Sequence, residues 1–183
     1  MKNIVLLVFI IISSFLHCQT FTEINSGLPN TGGTTSWGDY DNDGDLDILD
    51  TGPDFSKIYR NDSGVFSDIN AELITYDWGS STWGDYDNDG DLDIIIIGIS
   101  YDDEIIGLFW DRSVIYRNDD SIFTIVSSGI DAVGGASIAC GDYDNDGDLD
   151  ILVSGDNPPT SGATTKIYRN DSGYFYDINA NLP

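Results

Sequence analysis

The sequence has few of the side chains on which most catalytic sites depend. Its 183 residues include one histidine, His17, and two cysteines, Cys18 and Cys140. Beyond residue 18 there is no histidine, so that part of the chain has no Ser-His or Cys-His pair and no histidine ligand for zinc. Carboxylate pairs of the glycosidase kind remain an enzymatic option. The clustered aspartates have another explanation, however, and the sequence predicts a protein that is not an enzyme.

Basic residues are also scarce. The chain has seven Lys and Arg residues and 32 Asp and Glu residues, which gives a formal net charge of −25. A chain this acidic offers no electrostatic surface for a nucleic acid. High charge can indicate disorder, but 12% aromatic residues and apolar runs such as residues 94–97 predict a folded chain.

The N-terminal segment predicts export. Residues 1–18 contain a single lysine, an uncharged apolar run from Ile4 to Ile12 and then a more polar stretch. This is the pattern of a secretory signal peptide, and the run is too short to favour a membrane span. We expect cleavage after Cys18; the alternative is a lipoprotein acylated at Cys18, although His17 is bulkier than the residue usual before such a site. The protein is then secreted or held at the cell surface.

Cys140 is the one thiol that remains if Cys18 is cleaved off or acylated, and no intrachain disulfide is then available. It stands where the other two copies of a repeat, described next, have Trp37 and Trp83. We therefore interpret Cys140 as a small core residue and both tryptophans as core residues.

Aspartate is abundant and strictly patterned. The segment DYDNDGDLD, which holds five aspartates and a central glycine, occurs three times between a glycine and an isoleucine. Calcium takes six to eight oxygen ligands, and a glycine lets such a loop turn back on itself. We predict side-chain ligands at positions 1, 3 and 5, a backbone carbonyl at position 7 and a closing carboxylate at position 9. The candidate ligands are Asp39, Asp41, Asp43, Asp45 and Asp47; Asp85, Asp87, Asp89, Asp91 and Asp93; and Asp142, Asp144, Asp146, Asp148 and Asp150.

The loops begin like an EF-hand but do not continue as one. Position 12 is Asp50, Ile96 or Val153 where an EF-hand needs glutamate, and short apolar runs typical of strands follow each loop. The alternative, that the aspartates only form turns, does not explain three copies of mutually repelling carboxylates. About three calcium ions are therefore predicted as cofactors. Calcium is favoured over magnesium, which prefers fewer protein ligands.

Further landmarks recur after each loop. An IYRND segment begins at Ile58, Ile115 and Ile167, and a phenylalanine-led segment follows it. The repeat period is 46 residues from Asp41 to Asp87 and 57 from Asp87 to Asp144, which is typical of propeller blades. In the first copy, the pattern predicts strands over 34–38, 46–51, 57–60 and 65–70, with NDSG as a tight hairpin turn.

The GDYDNDGDLDI core with its downstream YRN resembles the FG-GAP-like repeats, also called VCBS repeats, which are related to the repeats of the integrin α-subunit propeller. The resemblance covers about residues 21–183 and implies a calcium-binding β-propeller, with calcium between the first and second strands of each blade. The chain lacks the literal GAP, so integrin-like ligand binding is not implied. Within residues 19–183, the repeats span approximately 21–73, 74–127 and 128–183.

The predicted fold is all-β, a β-propeller-like array of three four-stranded blades. An orphan strand over Phe21–Asn25 precedes them, because FTEIN matches the phase of the last strand of a blade. Closed propellers have four to eight blades, so we expect an incomplete propeller or one that oligomerisation completes, with self-association through its open edges.

The predicted function is that of a secreted calcium-binding scaffold for binding or adhesion, with an extracellular protein or polysaccharide as its unidentified ligand. The alternative is a non-catalytic accessory propeller of, or a fragment from, a larger extracellular carbohydrate-active enzyme. Recognition is expected in the connections between the second and third strands, which vary in length. The longest would expose Tyr101, Asp102, Asp103, Glu104, Phe109 and Trp110, although the last two could equally pack under the loop.

Two further sets of repeated residues have structural interpretations. Each arginine of the YRND segments is expected to form an ion pair with a nearby loop aspartate, and each tyrosine is expected to pack within its blade. These residues are Arg60, Arg117 and Arg169, and Tyr59, Tyr116 and Tyr168.

Overall fold

A computed structural model describes residues 22–29, 32–99, 112–157, 162–180 and 182. These residues form twelve β-strands and contain no helix, as the sequence predicted. Among them, no helix is long and apolar enough to cross a membrane. The predicted signal peptide and the long connection from Tyr101 to Trp110 lie outside the described residues.

The strands form three four-stranded sheets, each antiparallel and each in sequence order. The first sheet contains β1 (Thr34–Gly38), β2 (Asp47–Gly52), β3 (Phe55–Asp62) and β4 (Val65–Asp68). The second contains β5 (Asp77–Gly84), β6 (Asp93–Ile99), β7 (Arg112–Asp119) and β8 (Ile122–Ser127). The third contains β9 (Gly134–Gly141), β10 (Asp150–Asn157), β11 (Gly162–Asp171) and β12 (Tyr174–Asp177).

The prediction of three four-stranded, blade-like sheets is confirmed, and in the first sheet each strand differs from its predicted bounds by two residues or fewer at either end. The predicted strand over Phe21–Asn25 is wrong, because residues 22–29 form no strand. The reason is that a strand needs a partner for its backbone groups. Each described sheet already has its fourth strand, in β4, β8 and β12.

Two-residue hairpins join the third and fourth strands of every sheet. Asp62 pairs with Val65 across Ser63 and Gly64, whose φ angles are +51° and +92°. Positive φ at both positions defines a type I′ turn, whose twist matches that of the flanking strands. The predicted NDSG hairpin is therefore confirmed.

The sheets pack face to face through their first strands. In the first interface β5 lies against β1 and β2, and in the second β9 lies against β5 and β6. The alternating side chains of β6 serve both interfaces: Ile94 and Ile96 belong to the first core, and Ile95 and Ile97 to the second. A strand buried on both faces explains its run of four isoleucines.

The array is open. Among the described residues, the strands of the first and third sheets share no packing of this kind, so each leaves one face without a neighbouring sheet. Trp83 is buried in the first interface as predicted, whereas the prediction of a core position for Trp37 is wrong. Trp37 lies on the uncovered face of the first sheet, and 60% of its surface is exposed.

Candidate metal centres

The three aspartate loops have the same backbone conformation. Each connects the first and second strands of its sheet, and each has positive φ at its fourth and sixth positions. In the first loop these are Asn42, at +58°, and Gly44, at +93°. Asparagine tolerates this left-handed region and glycine enters it freely, which accounts for the invariant NDG within DYDNDGDLD.

The carboxylate at position 1 holds the turn together. Asp39 accepts hydrogen bonds from the backbone N–H groups of Asp43 and Gly44, both at 3.0 Å. Asp85 and Asp142 make the corresponding bonds at 3.1 Å. These bonds draw the loop backbone around the first aspartate and direct the next carboxylates inward.

Carboxylate oxygens converge in every loop. In the first and third loops, positions 1, 3 and 5 each place one oxygen within 4.8 Å of the others; in the second, positions 1, 3 and 9 do so. The three groups are Asp39, Asp41 and Asp43; Asp85, Asp87 and Asp93; and Asp142, Asp144 and Asp146. The predicted ligands at positions 1 and 3 are thus brought together in all three loops.

The carboxylate at position 3 is in an electrostatically unfavourable environment. The Oδ1 atoms of Asp41 and Asp87 are buried and have no hydrogen-bond partner among the described residues. Burial and the neighbouring negative charges raise the pKa of Asp41, and the same causes raise that of Asp87. A buried carboxylate oxygen without a donor is costly, and a cation in the loop would remove that cost.

The carboxylate at position 9 ties the loop to the rest of its sheet. In the second loop, the fully buried Asp93 accepts hydrogen bonds from the backbone N–H groups of Tyr86, at 3.0 Å, and Asn118, at 2.8 Å. Asp47 and Asp150 make the same pair of contacts in their own sheets. Burial nevertheless raises the pKa of Asp93 to about 7, because the bonds offset only part of the desolvation.

The carboxylate at position 7 points away from the converging oxygens. Asp45 accepts from the backbone N–H of Ser63 at 2.7 Å, in the hairpin between β3 and β4. Asp91 and Asp148 accept from Asp120 and Ser172 in the same way. The side chain is therefore committed to the hairpin, an arrangement compatible with the predicted backbone-carbonyl role of this position.

Comparison with known families agrees with this geometry. Residues 39–96, which run from the first aspartate loop into β6, match the family model described as FG-GAP-like repeat. This segment of the chain is similar to an FG-GAP-like repeat. No curated protein and no solved structure matches the chain.

The sequence analysis missed a set of site residues, the asparagines that join one aspartate loop to the next. Asn42 donates through Nδ2 to Asp91 Oδ1 of the second loop at 2.9 Å, and Asn88 donates to Asp148 of the third at 2.7 Å. Each loop is thus hydrogen-bonded to the next one through its position-7 aspartate. The signal was available, since an asparagine recurs at position 4 of all three copies.

The arginines of the YRND segments form ion pairs as expected, but with a different partner. Each pairs with the aspartate two residues further along its own strand, as in Arg60–Asp62 at 2.8 Å, and not with a loop aspartate as predicted. Residues i and i+2 of a strand share a face, so this aspartate is closer to the arginine than a loop aspartate is. The pairs are solvent-exposed and contribute little to stability.

The repeated tyrosines occupy the predicted packing positions. Tyr59, Tyr116 and Tyr168 are all buried. The hydroxyl of Tyr116 accepts a hydrogen bond from the backbone N–H of Ile74 at 2.7 Å, and that of Tyr168 accepts one from Asp131 at 3.0 Å. Each of these bonds fixes the segment that leads into or out of a sheet.

Proposed function

We propose that this chain is a secreted, non-catalytic calcium-binding module that serves as a binding or adhesion scaffold. The observation that carries the proposal is the convergence of three carboxylate oxygens within 4.8 Å in each of three equivalent loops. Oxygen-only donors on a flexible loop suit calcium better than zinc or copper, which favour nitrogen and sulfur.

The residues present fit such an ion. The carboxylates at positions 1, 3 and 5 would hold it, with the buried Oδ1 atoms of Asp41 and Asp87 gaining the partner they lack. The backbone carbonyl at position 7 and the carboxylate at position 9 complete the proposed ligand set. Bound calcium supplies positive charge, which lowers the pKa of these carboxylates and relieves their repulsion.

Calcium in this proposal is structural. The position-9 carboxylate bonds to its own loop and to the third strand of its sheet, and the position-7 carboxylate bonds to the hairpin. An ion that orders the loop would therefore order three connected segments. The chain from residue 19 onward has a single cysteine, Cys140. Metal loops are therefore the available cross-links of an exported protein without a disulfide.

Recognition in this proposal takes place at the opposite end of the sheets. A cavity of about 320 Å³ opens there between the first and second sheets, lined by Thr34, Thr51, Trp78 and neighbouring glycines. Trp78 is 72% exposed at its rim. An exposed indole beside hydroxyl groups is suited to a polysaccharide or protein ligand, and the calcium loops hold the two sheets that form the cavity.

Calcium binding is tested by isothermal titration of chelator-treated protein. Wild type should bind about three calcium ions, and Asp87→Asn should reduce the number to about two, because it removes a carboxylate from one loop only. Asp54→Asn is the matched control, since Asp54 is an exposed acid in the β2–β3 connection. Absence of binding in folded protein, or an equal loss in the control, would refute the assignment.

A further inference from the structure

The two interfaces between sheets are built from the same contacts. In the first, the Tyr40 ring stacks on Trp83 with centroids 6.1 Å apart and meets Phe123 at 5.7 Å. In the second, the equivalent Tyr86 meets Phe175 at 6.1 Å. A tyrosine at loop position 2 therefore packs against the aromatic residues of the following sheet.

A hydrogen bond accompanies each aromatic contact. The buried Asn118 donates through Nδ2 to the carbonyl of Tyr40 at 2.9 Å, and Asn170 donates to the carbonyl of Tyr86 at 2.7 Å. The equivalent asparagine of the first sheet, Asn61, donates only to Leu46 of its own sheet at 2.9 Å. The carbonyl of Tyr143 occupies the corresponding acceptor position in the third sheet.

A glycine notch completes the interface. A Cβ atom at Gly38 would lie 2.6 Å from the Trp83 ring, and one at Gly84 would lie 2.8 Å from Leu149. A side chain at Gly38 would therefore collide with a rigid ring, and one at Gly84 would force the end of the Leu149 side chain to move. The equivalent residue of the third sheet is Gly141, where a Cβ atom would meet nothing within 4 Å.

Each uncovered face of the array is equivalent to one side of the internal interfaces. The tail face comprises Gly141, Tyr143 and Leu152 of the third sheet, and the head face comprises Trp37, Leu46, Asn61 and Phe66 of the first. Leu152 is 41% exposed, whereas its equivalents Leu49 and Ile95 are 0% and 1% exposed. Tyr143 is 48% exposed, against 3% for Tyr40 and 6% for Tyr86.

Not every exposed apolar side chain marks an uncovered face. Val65 and Ile122 occupy the same hairpin position in the first and second sheets, and both are 68% exposed. Ile122 remains exposed although its sheet has a neighbour on either side. The contrast shows which positions a neighbouring sheet buries and which it leaves in solvent.

We propose that the head face of one chain binds the tail face of a second copy of the same chain. In this interface Trp37 enters the notch at Gly141, Tyr143 packs against Trp37 and Phe66, and Asn61 donates to the carbonyl of Tyr143. The second copy is the occupant because a single chain carries both complementary halves, and the internal interfaces show how they fit. The contact is heterologous, and two copies that close on each other would form a ring of six sheets.

The proposal is tested by sedimentation equilibrium of the purified full chain in calcium. Wild type should show reversible association to twice the mass of a single chain. Trp37→Asp on the head face should raise the dissociation constant about tenfold or more. Gly141→Val on the tail face should do the same by filling the notch, with Leu152→Asp as a second tail variant. Ile122→Asp is the matched control and should associate like wild type.

Mixing the variants tests the polarity of the contact. Trp37→Asp retains a tail face and Gly141→Val retains a head face, so an equimolar mixture should form a one-to-one complex that neither variant forms alone. Calcium titration of each variant separates loss of the interface from loss of the metal loops. A monomeric wild type, unaltered association of the variants, or failure of the mixture to form a complex would each overturn the proposal.

Discussion

At the scale of single residues, asparagine joins one sheet to the next. Asn118 is fully buried, and its side chain makes three hydrogen bonds. It donates to the carbonyls of Tyr40 and Leu92 and accepts from the backbone N–H of Ser121. One side chain thus satisfies backbone groups of the preceding sheet, its own aspartate loop and its own hairpin. Removal of a buried partner of this kind leaves each of those groups without a substitute.

The prediction is that Asn118→Ala lowers the free energy of unfolding by about 3 kcal/mol, because buried polar groups lose their partners at about 1–3 kcal/mol each. Asn61→Ala is the matched control. It removes bonds to Leu46 and Gly64 but no bond between the sheets of one chain, so at concentrations where the chain is a monomer it should cost about 1 kcal/mol. Urea denaturation of both variants in calcium measures the difference. Equal losses would show that the bond between sheets contributes nothing measurable.

At the scale of elements, the three hairpins differ in the backbone strain at their second turn residue. Their second turn residue is Gly64 at +92°, Ser121 at +69° and Gly173 at +89°. A side chain in this region strains the backbone, and glycine does not. The middle hairpin therefore carries a strain that the two outer hairpins lack.

We expect Ser121→Gly to stabilise the protein and Gly64→Ser to destabilise it, each by about 0.5–1 kcal/mol. For a chain of this size, that corresponds to a change of about 1–4 °C in melting temperature. Differential scanning calorimetry in calcium detects shifts of this magnitude. Melting temperatures that move in the same direction in both variants would contradict the assignment of strain to Ser121.

Sequence patterns predicted these elements well where local chemistry determines them. The DYDNDGDLD loops and the NDSG turns specify positive φ at particular residues, and their repetition located most strands of the first sheet within two residues. The predictions that were wrong concern residues whose environment depends on a neighbouring sheet or strand. The same tryptophan is buried at Trp83 and exposed at Trp37, because only one has a sheet in front of it. Likewise, the strand predicted over Phe21–Asn25 has the phase of a fourth strand but no third strand beside it.

At the scale of the whole molecule, charge is the dominant feature. The chain carries a formal charge of −25, and fifteen of its 32 acidic residues are the loop aspartates. Three calcium ions would offset six of those charges at the places where the carboxylates are closest. The folded state without metal must instead tolerate that repulsion or take up protons. Burial is the main cause of the raised pKa of Asp93, and the charges of Asp87 and Asp89 add to it.

In excess chelator, the melting temperature should therefore be far below its value in calcium, since saturating ligand at about 100 times its dissociation constant contributes about 2.7 kcal/mol per site. It should then rise as sodium chloride is added, because the Debye length falls from about 30 Å at 0.01 M to about 3 Å at 1 M. The calcium-saturated protein, measured over the same salt series, is the control and should respond less. A melting temperature that chelator leaves unchanged would show that the loops do not depend on metal.

The double burial of β6 has a consequence for how such a protein grows. Ile94 and Ile96 face the first sheet while Ile95 and Ile97 face the third. The bonds that Asn118 and Asn42 make at the first interface are repeated at the second by Asn170 and Asn88. Tandem duplication of the middle unit would therefore create a junction with the same kinds of contact as the two existing interfaces. We therefore expect the number of units to vary among related chains, with the tyrosine, glycine and asparagine contacts kept at each junction.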